Sequence, residues 1–152
     1  MPYFKLSKQQ IKNNQIIDAW LDGEPFKMNS QDKHPQVPVL TPWEVRAKYT
    51  PLYPQDSGQF FSTKLIANEF GDFVAHDLGI DVTGKTILEP SAGLGALVEW
   101  TKDFAVKVVC YEADRKLVEI GRKIEPWIEW VQNSPFDPQY WPEMEGQFDF
   151  VF

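Results

Sequence analysis

The chain has 152 residues, 43% hydrophobic and 14% aromatic, a composition that excludes a disordered protein and suits one packed domain or slightly more. Its single cysteine, Cys110, excludes an internal disulfide, and no apolar run approaches the roughly 18 residues of a membrane span. The net charge of −7 is uneven: residues 1–57 carry seven basic and six acidic side chains, and residues 58–152 carry eight and sixteen. Residues 58–152 therefore lack the Lys and Arg density that binds a phosphate backbone. Because the first residues show no signal-peptide run, a cytoplasmic protein without a membrane partner is expected.

Residues 1–57 are predicted to form an N-terminal helical extension. Ser7 is placed to cap a helix from Lys8 to about Leu21, with Gly23 as its end. Thr41-Pro42-Trp43-Glu44 has the pattern of a capping box with proline in the first turn, which predicts a second, shorter helix.

A third helix is predicted to begin at a cap on Ser62 or Thr63 and to end near Leu78, before Gly79. The sequence contains no Cys/His cluster of the kind that binds a metal ion, and the lone His76 is expected to be a surface or half-buried residue. The predicted inward face of this third helix consists of large apolar residues, namely Leu65, Ile66, Phe70, Phe73, Val74 and Leu78.

The rest of the chain alternates strands with helices, which predicts an α/β fold with a doubly wound parallel sheet. The loop predicted from Asn133 to Pro142 interrupts this rhythm. The predicted strands end at Glu89, Tyr111, Gln132 and Phe152, and the helices between them cover Leu94–Thr101 and Arg115–Lys123.

The turn after the first of these strands is typical of a small-molecule pocket. It contains Gly93 and Gly95, but Val98 stands where the dinucleotide fingerprint has a third small residue. The carboxylate of Glu89 would repel a pyrophosphate in a low-dielectric pocket and attract an ammonium or a sulfonium. The turn therefore favours a nucleoside that carries an amino acid over a dinucleotide.

An acid at the end of the second strand supports a nucleoside ligand. Glu112 lies nineteen residues after Gly93, close to the roughly 20-residue spacing at which an acid binds two ribose hydroxyls. The alternative is an ordinary solvated acid at a strand end. Ala113 is small enough for an adenine ring to lie against it, and Asn133 and Ser134 are candidates for hydrogen bonds to the ring edge.

Three stretches of the sequence, at residues 58–63, 88–95 and 111–114, resemble motifs of the class I S-adenosylmethionine-dependent methyltransferases and follow one another in the same order. The wording is closest to that of the DNA N6-adenine methyltransferases. Leu88-Glu89-Pro90-Ser91-Ala92-Gly93-Leu94-Gly95 resembles their motif I, and Tyr111-Glu112-Ala113-Asp114 resembles their motif II. Gly58-Gln59-Phe60-Phe61-Ser62-Thr63 resembles the Gly-x-Phe-x-Thr-Pro stretch that precedes motif I. The resemblance covers about residues 58–152 and implies a Rossmann-like methyltransferase domain that binds S-adenosyl-L-methionine.

The resemblance also implies which residues bind this cofactor. The turn from Phe60 to Thr63 would hold the methionine carboxylate, Glu89 and the following turn the amino end, and Glu112 the ribose. Two departures are visible: Lys64 replaces a proline, and Asn133–Asp137 replaces an Asp-Phe pair. The expected cofactor-binding residues are Phe60, Thr63, Glu89, Pro90, Ser91, Ala92, Gly93, Gly95, Glu112, Ala113 and Ser134.

The family carries its catalytic tetrapeptide, Asn-Pro-Pro-Tyr or -Phe, directly after the fourth strand. The sequence reaches Phe152 without it, so no catalytic residue and no metal ligand is predicted, and the methyltransferase domain is expected to be incomplete. Methylation of DNA adenine, as in restriction-modification or phage enzymes, would then need a missing region or a second chain, which would also supply the DNA contacts.

Two alternatives remain open. The same fold could serve an RNA adenine or a protein glutamine amide as substrate, since related enzymes share the tetrapeptide. The chain could also be a non-catalytic nucleoside-binding domain or a partner subunit. In either case the apolar last strand, Phe148–Phe152, is expected to be covered in a homo- or hetero-oligomer, because an open apolar edge invites aggregation.

Overall fold

The computed structural model describes residues 5–51, 61–134, 137 and 141–152. The chain divides into two compact units, residues 1–60 and 61–152. No helix within the described ranges combines the length and the apolar character needed to cross a membrane.

The first unit contains the two predicted helices, α1 (Lys8–Asp22) and α2 (Pro42–Lys48). Both begin with the predicted capping boxes, in which Ser7 and Thr41 exchange hydrogen bonds with the residue three positions later. The helices contribute a small core of buried side chains, which comprises Ile16, Ile17, Trp20 and Val45.

The second unit is built on a four-stranded sheet in which every neighbouring pair is parallel. The spatial order is β3-β2-β1-β4, so the chain moves outward from β1 to β3 and then returns to the other side of β1. This order and the flanking helices confirm the predicted α/β fold. The strands are β1 (Thr86–Glu89), β2 (Lys107–Glu112), β3 (Glu129–Gln132) and β4 (Phe150–Val151).

Asp149 fastens β4 to the first residue of β1. Its Oδ2 accepts hydrogen bonds from the Thr86 backbone N–H at 2.8 Å and from the Thr86 hydroxyl at 2.9 Å. These bonds, backbone first, lower the pKa of Asp149, and Lys85 lies 3.9 Å from the other carboxylate oxygen. The short β4 strand is thus held in register by a side chain as well as by its ladder.

The helix before β1 differs from its prediction in which face it buries. It runs as α3 (Lys64–Asp72), is capped by Thr63, and continues as one π-helical stretch, Phe73–Asp77. The buried positions are small or β-branched, namely Ala67, Gly71 and Val74. Of the six residues expected inside, Val74 is buried as predicted and Phe70 is half-buried against Phe152. The other four are exposed, namely Leu65, Ile66, Phe73 and Leu78. The reason is close packing, because a Cβ on Gly71 would lie 2.8 Å from Cγ of Trp100.

Two further segments differ from expectation. The segment after the glycine turn is a 3₁₀ helix, Ala96–Thr101, because Gly95 adopts a left-handed conformation at φ 71° and delays the start of the helix. The predicted loop 133–142 gives way to a short helix, α5 (Trp141–Met144), at its end.

The remaining helix, α4 (Arg115–Ile124), agrees with the prediction, with Leu117, Val118 and Ile120 buried. Asp114 caps this helix by accepting hydrogen bonds from two backbone N–H groups of its first turn. The core of the unit lies on the sheet and includes Ile87, Val98, Val108, Cys110, Val118 and Trp130.

Candidate functional site

The predicted site residues that the structure describes follow the carboxyl ends of β1, β2 and β3 or precede α3. In an open parallel sheet, ligands bind in the crevice beside the carboxyl ends, where the strand order reverses. Here the order reverses between β1 and β4. Glu89, the last residue of β1, therefore stands at the switch point.

Glu89 is a buried carboxyl group with only one hydrogen-bond partner in the described structure. Its side chain is 5% exposed, and Oε1 accepts a hydrogen bond of 3.1 Å from the Ser91 backbone N–H. Oε2 is buried and has no hydrogen-bond partner among the described residues. Burial raises the pKa of Glu89 to about 7, and the Ser91 bond opposes this only in part. A buried acceptor that lacks a donor costs stability, and a ligand that donates a hydrogen bond to Oε2 would remove this cost.

Glu112 joins the end of β2 to the glycine turn. Its Oε2 accepts a hydrogen bond of 2.9 Å from the Gly93 backbone N–H, and its Oε1 accepts one of 2.8 Å from the Asp114 backbone N–H. The carboxylate is thereby fixed, while each oxygen retains a lone pair for another donor. Two acceptor oxygens held in this way suit the two adjacent hydroxyls of a ribose.

Backbone hydrogen bonds connect the glycine turn to the end of β2, and the end of β2 to the residue after β3. The Ala92 N–H donates to the Tyr111 carbonyl at 3.0 Å, and the Asn133 N–H donates to the Glu112 carbonyl at 3.0 Å. These bonds bring the ends of β1, β2 and β3 together. They place the predicted Ala113 and Ser134 beside the same edge, with Ala113 exposed and Ser134 half-buried.

The segment before α3 also reaches the glycine turn. A Cβ on Gly93 would lie 3.4 Å from Cδ1 of the Phe61 ring, so the ring covers this glycine. The predicted turn from Phe60 to Thr63 includes Phe61, although only Phe60 and Thr63 were expected to bind the cofactor. Phe60 lies outside the described residues. The hydroxyl of Thr63, another predicted residue, accepts the Ile66 N–H as the cap of α3.

Gly95 has a packing role that the sequence did not reveal. A Cβ there would lie 3.2 Å from two ring atoms of Trp130, and the residue is buried. The lack of a side chain at Gly95 therefore allows the turn to pack against Trp130. Pro90 and Ala92 are half-buried and Ser91 is exposed, so this part of the turn is accessible to a ligand.

The arrangement offers two carboxyl groups and a glycine-rich backbone to a ligand. An unsatisfied buried carboxyl group beside a half-exposed turn attracts a cationic donor such as an ammonium, and a phosphate there would be repelled. Across the described ranges, no group of three or more His, Cys, Asp or Glu side chains has the geometry to hold a metal ion.

No protein-family model matches the chain, and no curated protein matches it significantly. Among solved structures, a proposed RNA methyltransferase of Pyrococcus horikoshii is 23% identical, with a TM-score of 0.42 over 50% of this chain and 40% of that one. An RNA methyltransferase of Salinibacter ruber in complex with S-adenosyl-L-homocysteine is 17% identical, with a TM-score of 0.45 over 60% and 58% of the two chains. A TehB-like S-adenosylmethionine-dependent methyltransferase of Corynebacterium glutamicum is 21% identical, with a TM-score of 0.34 over 40% and 33%. The chain thus spans less than two thirds of each of these proteins.

Proposed function

We propose that residues 58–152 bind S-adenosyl-L-methionine and form the cofactor-binding part of an adenine-N6 methyltransferase that acts on DNA. The observation that carries the proposal is the buried Glu89 carboxyl group, whose Oε2 has no donor in the described structure. The ammonium of the methionine moiety is a donor of the right charge at the right end of the sheet.

The remaining contacts follow from the geometry of the turn. Glu112 is held by the N–H groups of Gly93 and Asp114, and its free lone pairs accept the ribose hydroxyls. Ala113 and Ser134 follow the ends of β2 and β3 at the same end of the sheet, and in this proposal they contact the adenine ring. The cofactor would supply the methyl group, and the residues described here bind and orient it.

The choice of DNA rests on the sequence motifs, above all on the likeness of Gly58–Thr63 to the stretch that precedes motif I in DNA adenine methyltransferases. The acidic charge of residues 58–152 requires that DNA be bound by a further region or a second chain. An RNA adenine, a protein glutamine or a purely binding role are the competing outcomes. Methyl incorporation into matched DNA, RNA and glutamine-peptide substrates, measured with the purified protein and with any chain that co-purifies with it, distinguishes them.

Calorimetric titration of S-adenosyl-L-methionine into the purified chain tests the cofactor assignment. We expect weak but measurable binding, which Glu112→Ala weakens by about 100-fold, because two hydrogen bonds to a charged carboxylate are lost. Glu119→Gln on α4 removes the same charge from an exposed ion pair with Arg115 and should leave binding unchanged.

Circular dichroism and thermal melting must show that each variant is folded. Glu112→Gln serves as the milder variant, because it keeps an acceptor for the turn. An absence of heat from the folded wild-type protein, or equal affinity in wild type and Glu112→Ala, would overturn the assignment.

A further inference from the structure

We propose that a cleft at the amino-terminal ends of the strands, separate from the candidate cofactor site, binds a small ligand that carries a positively charged amine on a flat apolar body. The cleft has a volume of about 570 Å³, within the range of small-molecule sites. Its walls are α3 with its π-helical continuation and the segments that precede β1 and β2. It therefore lies at the opposite end of the strands from Glu89 and Glu112.

One wall carries a row of polar side chains. Asn68, Asp72 and His76 follow one another at intervals of four along the helix, and all three line the cleft. Gly71 and Ala75 line it beside them: the Trp100 ring packs against Gly71, and the small side chain of Ala75 leaves room in the cleft. This wall offers hydrogen-bonding groups to a ligand.

The opposite wall is apolar and partly aromatic. Trp100 and Phe104 line it, together with Ile80 and Val82 from the segment before β1. The indole of Trp100 lies directly on the backbone of α3, since a Cβ on Gly71 would be 2.8 Å from its Cγ. The parts of the Trp100 and Phe104 rings that line the cleft offer apolar surface against which a flat apolar body would pack.

The charges of the cleft select a cation. Asp72 and Asp81 are among its lining residues, and none of the described lining residues is Lys or Arg. Hydrogen bonds from the Thr83 side chain and backbone, and to a smaller extent the charge of Lys85, lower the pKa of Asp81. Its carboxylate, like that of an ordinary aspartate, is ionised at neutral pH. An amine would be attracted by two carboxylates, and a carboxylate ligand would be repelled.

A matched pair of probes tests this inference: tryptamine, an indole with an ammonium, and indole-3-propionate, an indole with a carboxylate. We expect titration followed by NMR at low ionic strength to show tryptamine binding at least about tenfold more tightly. The shifted resonances should belong to the cleft residues. The double variant Asp72→Asn/Asp81→Asn should reduce tryptamine affinity by about tenfold, whereas Glu119→Gln should leave it unchanged.

Ala75→Leu provides a second, independent variant, because leucine is nearly as good a helix former as alanine and its side chain would fill the cleft. It should abolish binding of tryptamine in a protein that remains folded. Equal binding of the two probes, no binding of tryptamine, or an unchanged affinity in the double variant would each overturn the inference. The cleft and the candidate cofactor site share no lining residue, so S-adenosyl-L-methionine binding, measured in the same variants, is expected to be unaffected.

Discussion

At the scale of single residues, the buried carboxyl group of Glu89 is expected to lower the stability of the fold and to strengthen ligand binding. The fold buries its carboxyl group and leaves one oxygen without a donor among the described residues, so the ionised form of Glu89 is disfavoured in the folded protein. The rise in pKa from 4.5 to about 7 corresponds to roughly 3 kcal/mol of unfavourable free energy once the group is ionised. Such a cost is expected at a position that a ligand satisfies and that packing alone would not retain.

The variant Glu89→Gln should separate these two roles. The folded pKa of Glu89 lies above its unfolded value, so the wild-type protein loses stability as the pH rises from about 4.5 through about 7. Glutamine is neutral at every pH. In urea denaturation the variant should therefore match the wild type near pH 4.5 and exceed it by about 1 to 3 kcal/mol at pH 8. The same variant should bind S-adenosyl-L-methionine at least about tenfold more weakly.

The pH dependence of wild-type binding provides the internal check. The ammonium of the ligand favours ionised Glu89, so below about pH 7 binding must release a proton, and affinity should fall by up to tenfold per pH unit. A stability difference between wild type and variant that does not change with pH would contradict the role of Glu89. So would cofactor binding that is equally strong at pH 5.5 and pH 8.

At the scale of the elements, local signals in the sequence were sufficient for the caps and for the parallel arrangement of the strands, but not for their spatial order. Ser7 and Thr41 form hydrogen bonds with near neighbours, so their role is visible in a few consecutive residues. The α/β alternation likewise predicted the parallel sheet. The acids at the ends of β1 and β2 were placed correctly because parallel strands bring their carboxyl ends to one edge.

Features that depend on close packing were not predictable in this way. Hydrophobic periodicity selected the largest residues of α3 as its inner face, but Trp100 requires a small residue such as Gly71 there. The same limit applies to Gly95, whose contact with Trp130 joins segments that are distant in sequence. The contact of Phe61 with the glycine turn was not predictable either, because the sequence does not show which of two adjacent phenylalanines faces Gly93.

Gly121→Ala tests this packing principle in α4. In an isolated helix the change would stabilise by about 1 kcal/mol. In this fold an added Cβ would lie 2.6 Å from the Trp130 ring, in contact with a side chain buried in the core. We therefore expect a net destabilisation of about 1 to 3 kcal/mol, measured by chemical denaturation.

A double-mutant cycle with Trp130→Phe supplies the control for this expectation. The shorter ring removes the benzo atoms that approach Gly121, so in that background Gly121→Ala should become neutral or stabilising. If the alanine costs the same in both backgrounds, the contact between α4 and β3 is not the cause of its effect.

At the scale of the whole molecule, the two edges of the described sheet differ in chemistry. The β3 edge carries Glu129 and Gln132, both exposed, and Glu129 forms an ion pair of 2.8 Å with Lys107. Charged residues of this kind protect an edge from pairing with another chain. The β4 edge consists of Phe150 and Val151, and Val151 is 61% exposed. The β4 edge is therefore the one that we expect to pair with another strand.

We predict that the purified chain self-associates, or binds a second chain, through β4. Sedimentation velocity at about 5 to 50 µM should show species larger than a monomer, and Val151→Lys should shift them toward the monomer because lysine protects an edge. Val106→Lys is the matched control, since Val106 is 69% exposed but lies outside the sheet edges, directly before β2. A wild-type chain that stays monomeric over the whole range and captures no strand-donating partner would contradict the prediction. An equal effect of the two lysine variants would show that added charge, and not the β4 edge, controls association.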